Sequence, residues 1–140
     1  IRLMSAVPSE SKEKIANDRY YLYNDYFFWI ENAEGEVQFK LSAERYGGLN
    51  FYSDGSEIIV FALVKDSETT DAYSIESGRK LFTIPAKVYG SYVDNRIIVS
   101  KQTGDNTLFG VYDFEGNPVL LIEYTWDYLY SKGYVLTKDA

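Results

Sequence analysis

Eight aspartates, Asp25, Asp54, Asp66, Asp71, Asp94, Asp105, Asp113 and Asp127, are the side chains best suited to chemistry in this sequence. Two carboxylates flanking a glycosidic bond would make a glycosidase pair. Neither His nor Cys occurs anywhere in the chain. That excludes an imidazole base, a thiolate nucleophile, a disulfide frame and the common zinc sites. Asp is also favoured in turns, where its carboxylate bonds nearby backbone N–H groups, and nearly all eight fall in turn-like stretches. We therefore read them as solvated turn residues, assign no catalytic residue and do not expect an enzyme. DSETTD (Asp66 to Asp71) and TGDN (Thr103 to Asn106) are oxygen-rich in the manner of calcium loops, but neither has an ordered ligand spacing. No metal or other cofactor is expected.

Aromatic side chains are the better candidates for a binding surface. They make up 17% of the chain, mainly fourteen Tyr and eight Phe, and they collect in RYGGLNFY from Arg45, KVYGSYV from Lys87 and YTWDYLY from Tyr124. Tyr46, Tyr52, Tyr89, Tyr92, Trp126 and Tyr128 are the candidate binding residues, since flat rings on a rigid scaffold stack on sugars and dominate protein interfaces. Strand alternation turns about half of such residues inward, so most of the aromatic positions are expected in the core. A net charge of −7, with basic residues scattered singly, argues against nucleic acid and anionic lipid as partners. No apolar run has the length of a membrane span.

The elements that position these residues read as short strands. The 140 residues fit one domain, and turn signals recur at Asn24-Asp25, Glu34-Gly35, Gly47-Gly48, Asp54-Gly55, Ser77-Gly78, Gly104-Asp105 and Glu115-Gly116. Runs rich in Val, Ile, Tyr and Phe lie between them, the pattern of an antiparallel all-β fold. Aligned on Gly35, Gly78 and Gly116, three segments share apolar residues after the turn. Phe39, Phe82 and Leu120 stand four residues on, and Leu41, Ile84 and Ile122 stand six on. Ile30, Tyr73 and Val111 precede the glycines by five. The strands FALVKD, IIVSKQ and YVLTKD carry Lys65, Lys101 and Lys138 at spacings of 36 and 37 residues. A unit of this length with up to four strands is a repeat of the kind that builds propeller blades. The expected boundaries are 19–56, 57–95 and 96–140, after a polar leader over 1–18. Within that leader, Ser9 to Asn17 reads as a linker into the folded part, the alternative being a helical turn or two capped by Ser9.

These residues carry a resemblance. Phe109-Gly110-Val111-Tyr112-Asp113, then Gly116, then Val119 to Ile122, then an aromatic residue and Asp127, is similar to the bacterial WG-repeat family. Ile84-Pro85 and Tyr89 match the later part of that pattern in the second copy, while Phe27-Phe28 and Asp71-Ala72 stand where the aromatic-Gly pair belongs. YSIESGRKLF also looks like a turn of quinoprotein-type propeller repeats. Both resemblances imply repeated β-meanders. The first implies a non-catalytic interaction surface with no catalytic residues to carry over.

Three units do not close a propeller, so an open or partial array is expected, with its ends covered by the leader or by a second chain. The expected role is a non-catalytic β-repeat module that presents a protein-interaction surface within a larger bacterial protein. Its partner is a protein, or another copy bound through exposed sheet edges. The alternative is a carbohydrate-binding or adhesive module. A position outside the cytoplasm or at the cell surface is favoured.

Overall fold

The computed structural model describes residues 12–53 and 55–135. The fold is all-β with repeated units, as the sequence implies. β1 (Glu13–Ile15), β2 (Arg19–Tyr23), β3 (Phe27–Glu31) and β4 (Val37–Ser42) form the first sheet. β5 (Tyr46–Ser53), β6 (Ile58–Val64), β7 (Thr70–Ser74) and β8 (Lys80–Ile84) form the second. β9 (Lys87–Tyr92), β10 (Arg96–Thr103), β11 (Asn106–Asp113) and β12 (Pro118–Tyr124) form the third, and α1 (Trp126–Ser131) follows. Each sheet is a four-stranded antiparallel meander in chain order, and none closes on itself. Among the described residues no helix is long and apolar enough to cross a membrane.

The sheets occupy 13–42, 46–84 and 87–124, so the aromatic segment opens a sheet instead of closing one, and the expected boundaries move accordingly. The connections explain the phase. Only Ala43, Glu44 and Arg45 separate β4 from β5, and only Pro85 and Ala86 separate β8 from β9. The leader is corrected as well: Glu13–Ile15 is a strand paired with β2 through Glu13↔Tyr21 and Ile15↔Arg19. A one-turn helix with two apolar residues has no stability of its own, whereas the strand buries Ile15 against the sheet interface. Residues 1–11, and with them the Ser9 cap, lie outside the described residues. So do Asp54 and residues 136–139 of YVLTKD, whose described residues Tyr134 and Val135 are not in a strand.

The three glycine corners are equivalent from the glycine onward. Gly35, Gly78 and Gly116 all have positive φ, at 83°, 72° and 89°, a region where a Cβ is strained. Beyond each corner the ladder slips at the same place. Ile30↔Phe39 gives way to Glu31↔Val37, Ala72↔Phe82 to Tyr73↔Lys80, and Val111↔Leu120 to Tyr112↔Pro118. The same bulge therefore lies in all three fourth strands.

Before the corner, one part of the alignment is revised. Asn32 and Asp113 each start a four-residue turn, their side-chain oxygens accepting from Glu34 and Glu36 N–H and from Glu115 and Asn117 N–H. The second turn runs from Ser74 to Gly78 and is one residue longer. Ala72, and not Tyr73, is thus the partner of Ile30 and Val111. The residues equivalent to Phe109-Gly110 are Phe28-Trp29 and Thr70-Asp71.

The sheets stack with a constant direction. Ile30, Phe39 and Leu41 of the first sheet meet Ile58, Val60, Leu49 and Phe51 of the second. Ile59, Phe61, Phe82 and Ile84 on the other face of the second sheet meet Ile97, Val99 and Val88 of the third. Alternation along β6 supplies both faces, which is why its first five residues are all buried. Tyr21 of β2 touches Phe51 of β5, and Phe39 of β4 touches Tyr73 of β7. The first sheet is therefore displaced by about one strand over the second.

The third copy departs at Gly110. A Cβ there would lie 2.7 Å from the Leu120 carbonyl oxygen and 3.0 Å from Ile122 Cα. The missing side chain lets β12 bulge between Leu120 and Tyr124. Ile122 consequently turns back into the interface with the second sheet, while Leu120 and Tyr124 face away from it. Leu41 and Ile84 have no such reversal, so the sequence equivalence of Ile122 with them does not extend to its face.

Candidate functional site: an aromatic surface over the third sheet

The outward face of the third sheet carries Ile98, Phe109 and Val111, and α1 lies on it with Leu129 fully buried. Thr125 caps the helix, its hydroxyl accepting from Tyr128 N–H, and Asp127 sits in the first turn, both favourable at a helix start. The aromatic segment from Tyr124 thus becomes a helix in place of the strand that its two predecessors form.

Around this helix the rings gather. Trp126 lies 5.5 Å from both Phe109 and Tyr89, centroid to centroid, and Tyr89 meets Phe109 edge-on at 5.0 Å. Tyr124 and Tyr128 stack at 4.9 Å, nearly parallel, and Lys132 Nζ lies over the Tyr128 ring, 5.4 Å from its centroid. Tyr92 packs against Tyr134. Tyr89, Tyr128 and Tyr130 remain 48%, 45% and 64% exposed. The surface has a half-buried Trp against Tyr89 and Phe109, with the accessible Tyr128 and Tyr130 on the helix beside it.

Four of the six candidate binding residues, Tyr89, Tyr92, Trp126 and Tyr128, are therefore brought together on this side of the molecule. Tyr46 and Tyr52 are not. Tyr52 fills the interface between the second and third sheets, against Phe61 and Phe114. Tyr46 is buried, and its hydroxyl lies 2.6 Å from Asp71 Oδ2 and 2.7 Å from the Tyr73 hydroxyl. Strand alternation in the sequence could say that half would turn inward, but not which half.

Asp71 is the residue that sequence reasoning placed wrongly. It lies inside β7, paired with Ala62 and Thr83, and its side chain is buried. An Asp within the alternating run TDAYS, instead of at its end, was the signal that could have found it. Its Oδ1 accepts from the Thr83 hydroxyl at 2.8 Å, with Lys80 Nζ 4.0 Å away, and its Oδ2 accepts from Tyr46 and from Arg45 at 3.4 Å. Burial pushes the carboxyl pKa up. The hydrogen bonds from Tyr46 and Thr83, together with Lys80 and Arg45, outweigh it and hold the pKa below the ordinary carboxylate range. A carboxylate held ionised in this way is a fixed acceptor. It ties β7 to β8 and to the link between the first two sheets. Burial also raises the Tyr46 phenol, helped by its bonds to Asp71 and Tyr73.

The remaining oxygen-rich loops are occupied by their own turns. In DSETTD, Val64 N–H donates to Thr69 O, and Ser67 Oγ accepts from Thr69 N–H. In TGDN, Thr103 pairs with Asn106 across a two-residue hairpin with Gly104 at positive φ. An open cleft of about 400 Å³ lies beside the first link, lined by Ser42, Glu44, Arg45, Val64, Lys65 and Asp66. Its charges are mixed, and among the described residues no buried side-chain polar atom lacks a partner. Comparison with family profiles, with curated proteins and with solved structures gives no match for the chain.

Proposed function

We propose that this chain is a non-catalytic β-repeat module of the WG-repeat type, part of a larger bacterial protein. Its protein-interaction surface is the aromatic patch over the third sheet. The observation that carries the reading is the group of exposed rings on this side of the molecule, Tyr89 against Trp126 and Tyr128 and Tyr130 on α1. Tyr and Trp offer large contact area at small entropic cost, and they dominate binding hot spots. Support for the repeat type comes from the three equivalent glycine corners and from the close approach at Gly110 in the aromatic-Gly pair.

A sugar-binding reading is less well supported, because stacking on a sugar needs free ring faces. Tyr128 has Tyr124 stacked on it and Lys132 nearby, and Tyr89 and Trp126 lean on one another. The test is co-purification of a specific protein by the tagged chain. Capture is expected to fail for Tyr128→Ser with Tyr130→Ser and to survive Tyr26→Ser, a 73% exposed ring on the first sheet. Equal capture by all three chains would refute the assignment. Glycan binding lost on Trp126→Ala would favour the carbohydrate reading.

A further inference from the structure

The outward face of the first sheet is buried, yet no described element lies on it. Between β2 and β3, Tyr21 pairs with Ile30 and Leu22 with Trp29. Tyr21 and Ile30 turn to the second sheet, so strand alternation sends Leu22 and Trp29 to the other side. There they are 1% and 0% exposed, and Glu31 on the same face is 6% exposed. The Trp29 indole N–H donates to Glu31 Oε2 at 2.9 Å, and Lys12 Nζ lies 2.9 Å from Glu31 Oε1. Lys40, opposite Trp29 on β4, is exposed and lies over the Phe27 ring. Lys14 on β1 is exposed as well. Burial is thus deepest in the middle of the face and fades toward both edges.

Side chains stand roughly perpendicular to a sheet, so neighbours in the same sheet shield the sides of an indole and leave its upper surface open. Full burial of Trp29 needs chain lying across the sheet. The second sheet takes the opposite face, the third lies beyond the second, and α1 lies beyond the third. Sheets stacked about 10 Å apart put α1 at least about 20 Å from this face. Residues 136–140 span about 18 Å when fully extended and do not bridge that distance. Residues 1–11 are better placed. Glu13 pairs with Tyr21, which sets Lys12 level with Leu22 and so with Trp29. Two strand spacings of about 4.8 Å separate Lys12 from Trp29, and eleven residues cover that several times over. They read Ile-Arg-Leu-Met-Ser-Ala-Val-Pro-Ser-Glu-Ser, with Arg2 the one charged side chain before Glu10.

We propose that residues 1–11 cross the outward face of the first sheet and seal it, with Leu3, Met4 and Val7 packed on Leu22 and Trp29. The Lys12–Glu31 ion pair fixes the point where the segment leaves the sheet. A stack of repeats needs a cover at each end. α1 covers the third sheet, and this segment covers the first. Apolar burial holds it in place, and a flexible Met fills the irregular space around an indole. The seating does not depend on what binds the tyrosines over the third sheet, and neither readout below involves a partner.

The chain has no Cys, so Ser5→Cys gives the full chain a single site for a nitroxide label. In the labelled chain the Trp29 indole N–H and the amides of Leu22 and Phe27 are expected to lose most of their NMR intensity. The Trp126 indole N–H is expected to keep its own. Strongest loss in β1, the strand nearest along the chain, would show a segment that swings free and would overturn the proposal. Equal loss in a mixture of labelled chain with unlabelled, isotope-enriched chain also overturns it, because the cover then comes from a second copy. Fluorescence provides a separate arm. In a Trp126→Phe chain, Trp29 is the one remaining Trp, and it is expected to emit in the blue, shielded from acrylamide. Adding Leu3→Ser, Met4→Ser and Val7→Ser should shift emission to the red and raise the quenching constant several-fold, with the circular dichroism of the sheets kept. Arg2→Ser should change neither. Quenching that stays low without the three apolar side chains, or is already high with them, refutes the seating. If the triple variant loses its sheets, the nitroxide result decides.

Discussion

Replacing Asp71 by Asn removes one charge and almost no volume from the second sheet, so its cost reports how much the ionised carboxylate contributes. The side chain is only 3% exposed, and it accepts two short bonds, from Tyr46 at 2.6 Å and Thr83 at 2.8 Å. Bonds to a charged acceptor contribute about 1.5–3 kcal/mol each, roughly twice their neutral counterparts. Asn keeps one acceptor oxygen and sets an NH2 against the other hydroxyl, so one bond falls to its neutral strength and the other is lost, at least about 2 kcal/mol together. Arg45 and Lys80 add little, because their side chains are 58% and 48% exposed and solvent screens such pairs. In urea unfolding at neutral pH the midpoint should fall by about 1 M, given a slope of about 2 kcal/mol per M for a domain of this size.

The pH dependence provides the sharper check. The folded pKa lies below the unfolded value, so the contribution is complete above about pH 4 and disappears as pH falls through the folded pKa. The gap between wild type and Asp71→Asn should therefore narrow below about pH 4. The reasoning fails if the variant lies within about 0.5 kcal/mol of wild type, as an ordinary surface change would. It also fails if the gap persists unchanged in acid.

Three further outcomes follow from the corners and the buried phenols. Gly78→Ala places a Cβ in open space at positive φ and should cost about 1 kcal/mol. Gly116→Ala puts its Cβ 2.6 Å from the Phe82 ring, and should cost about 3 kcal/mol through added overlap; thermal unfolding of the two variants ranks them. Gly110→Ala has no φ penalty but meets backbone at 2.7 Å. It should release the β12 bulge, read as faster amide exchange at Leu121 to Glu123 and a stability loss of about 2 kcal/mol. Burial, with Tyr23 and Glu13 nearby, raises the Tyr21 phenol to about 12. A raised pKa favours the neutral form in the fold, so this contribution is present below about pH 10 and fades above it. Tyr21→Phe should show a shallower stability decline between about pH 10 and about pH 12 than wild type.

Local chemistry alone determined the repeat. A corner that needs positive φ selects Gly at positions 35, 78 and 116, and the apolar residue four positions later follows from strand alternation. Both constraints act within one hairpin, so they are written in adjacent residues. Which edge of the unit the aromatic segment belongs to was not written there, since pairing of β5 with β6 and of β9 with β10 spans separate turns. The extra residue in the second corner escaped for a related reason: turn length is fixed by the cross-strand register on both sides. The inward turn of Ile122, the burial of Tyr46 on Asp71 and the winding of a strand-patterned segment into α1 were decided by tertiary contact. In each case distant residues supply the missing partner: the space at Gly110, the Asp71 carboxylate, and the apolar face of Ile98, Phe109 and Val111.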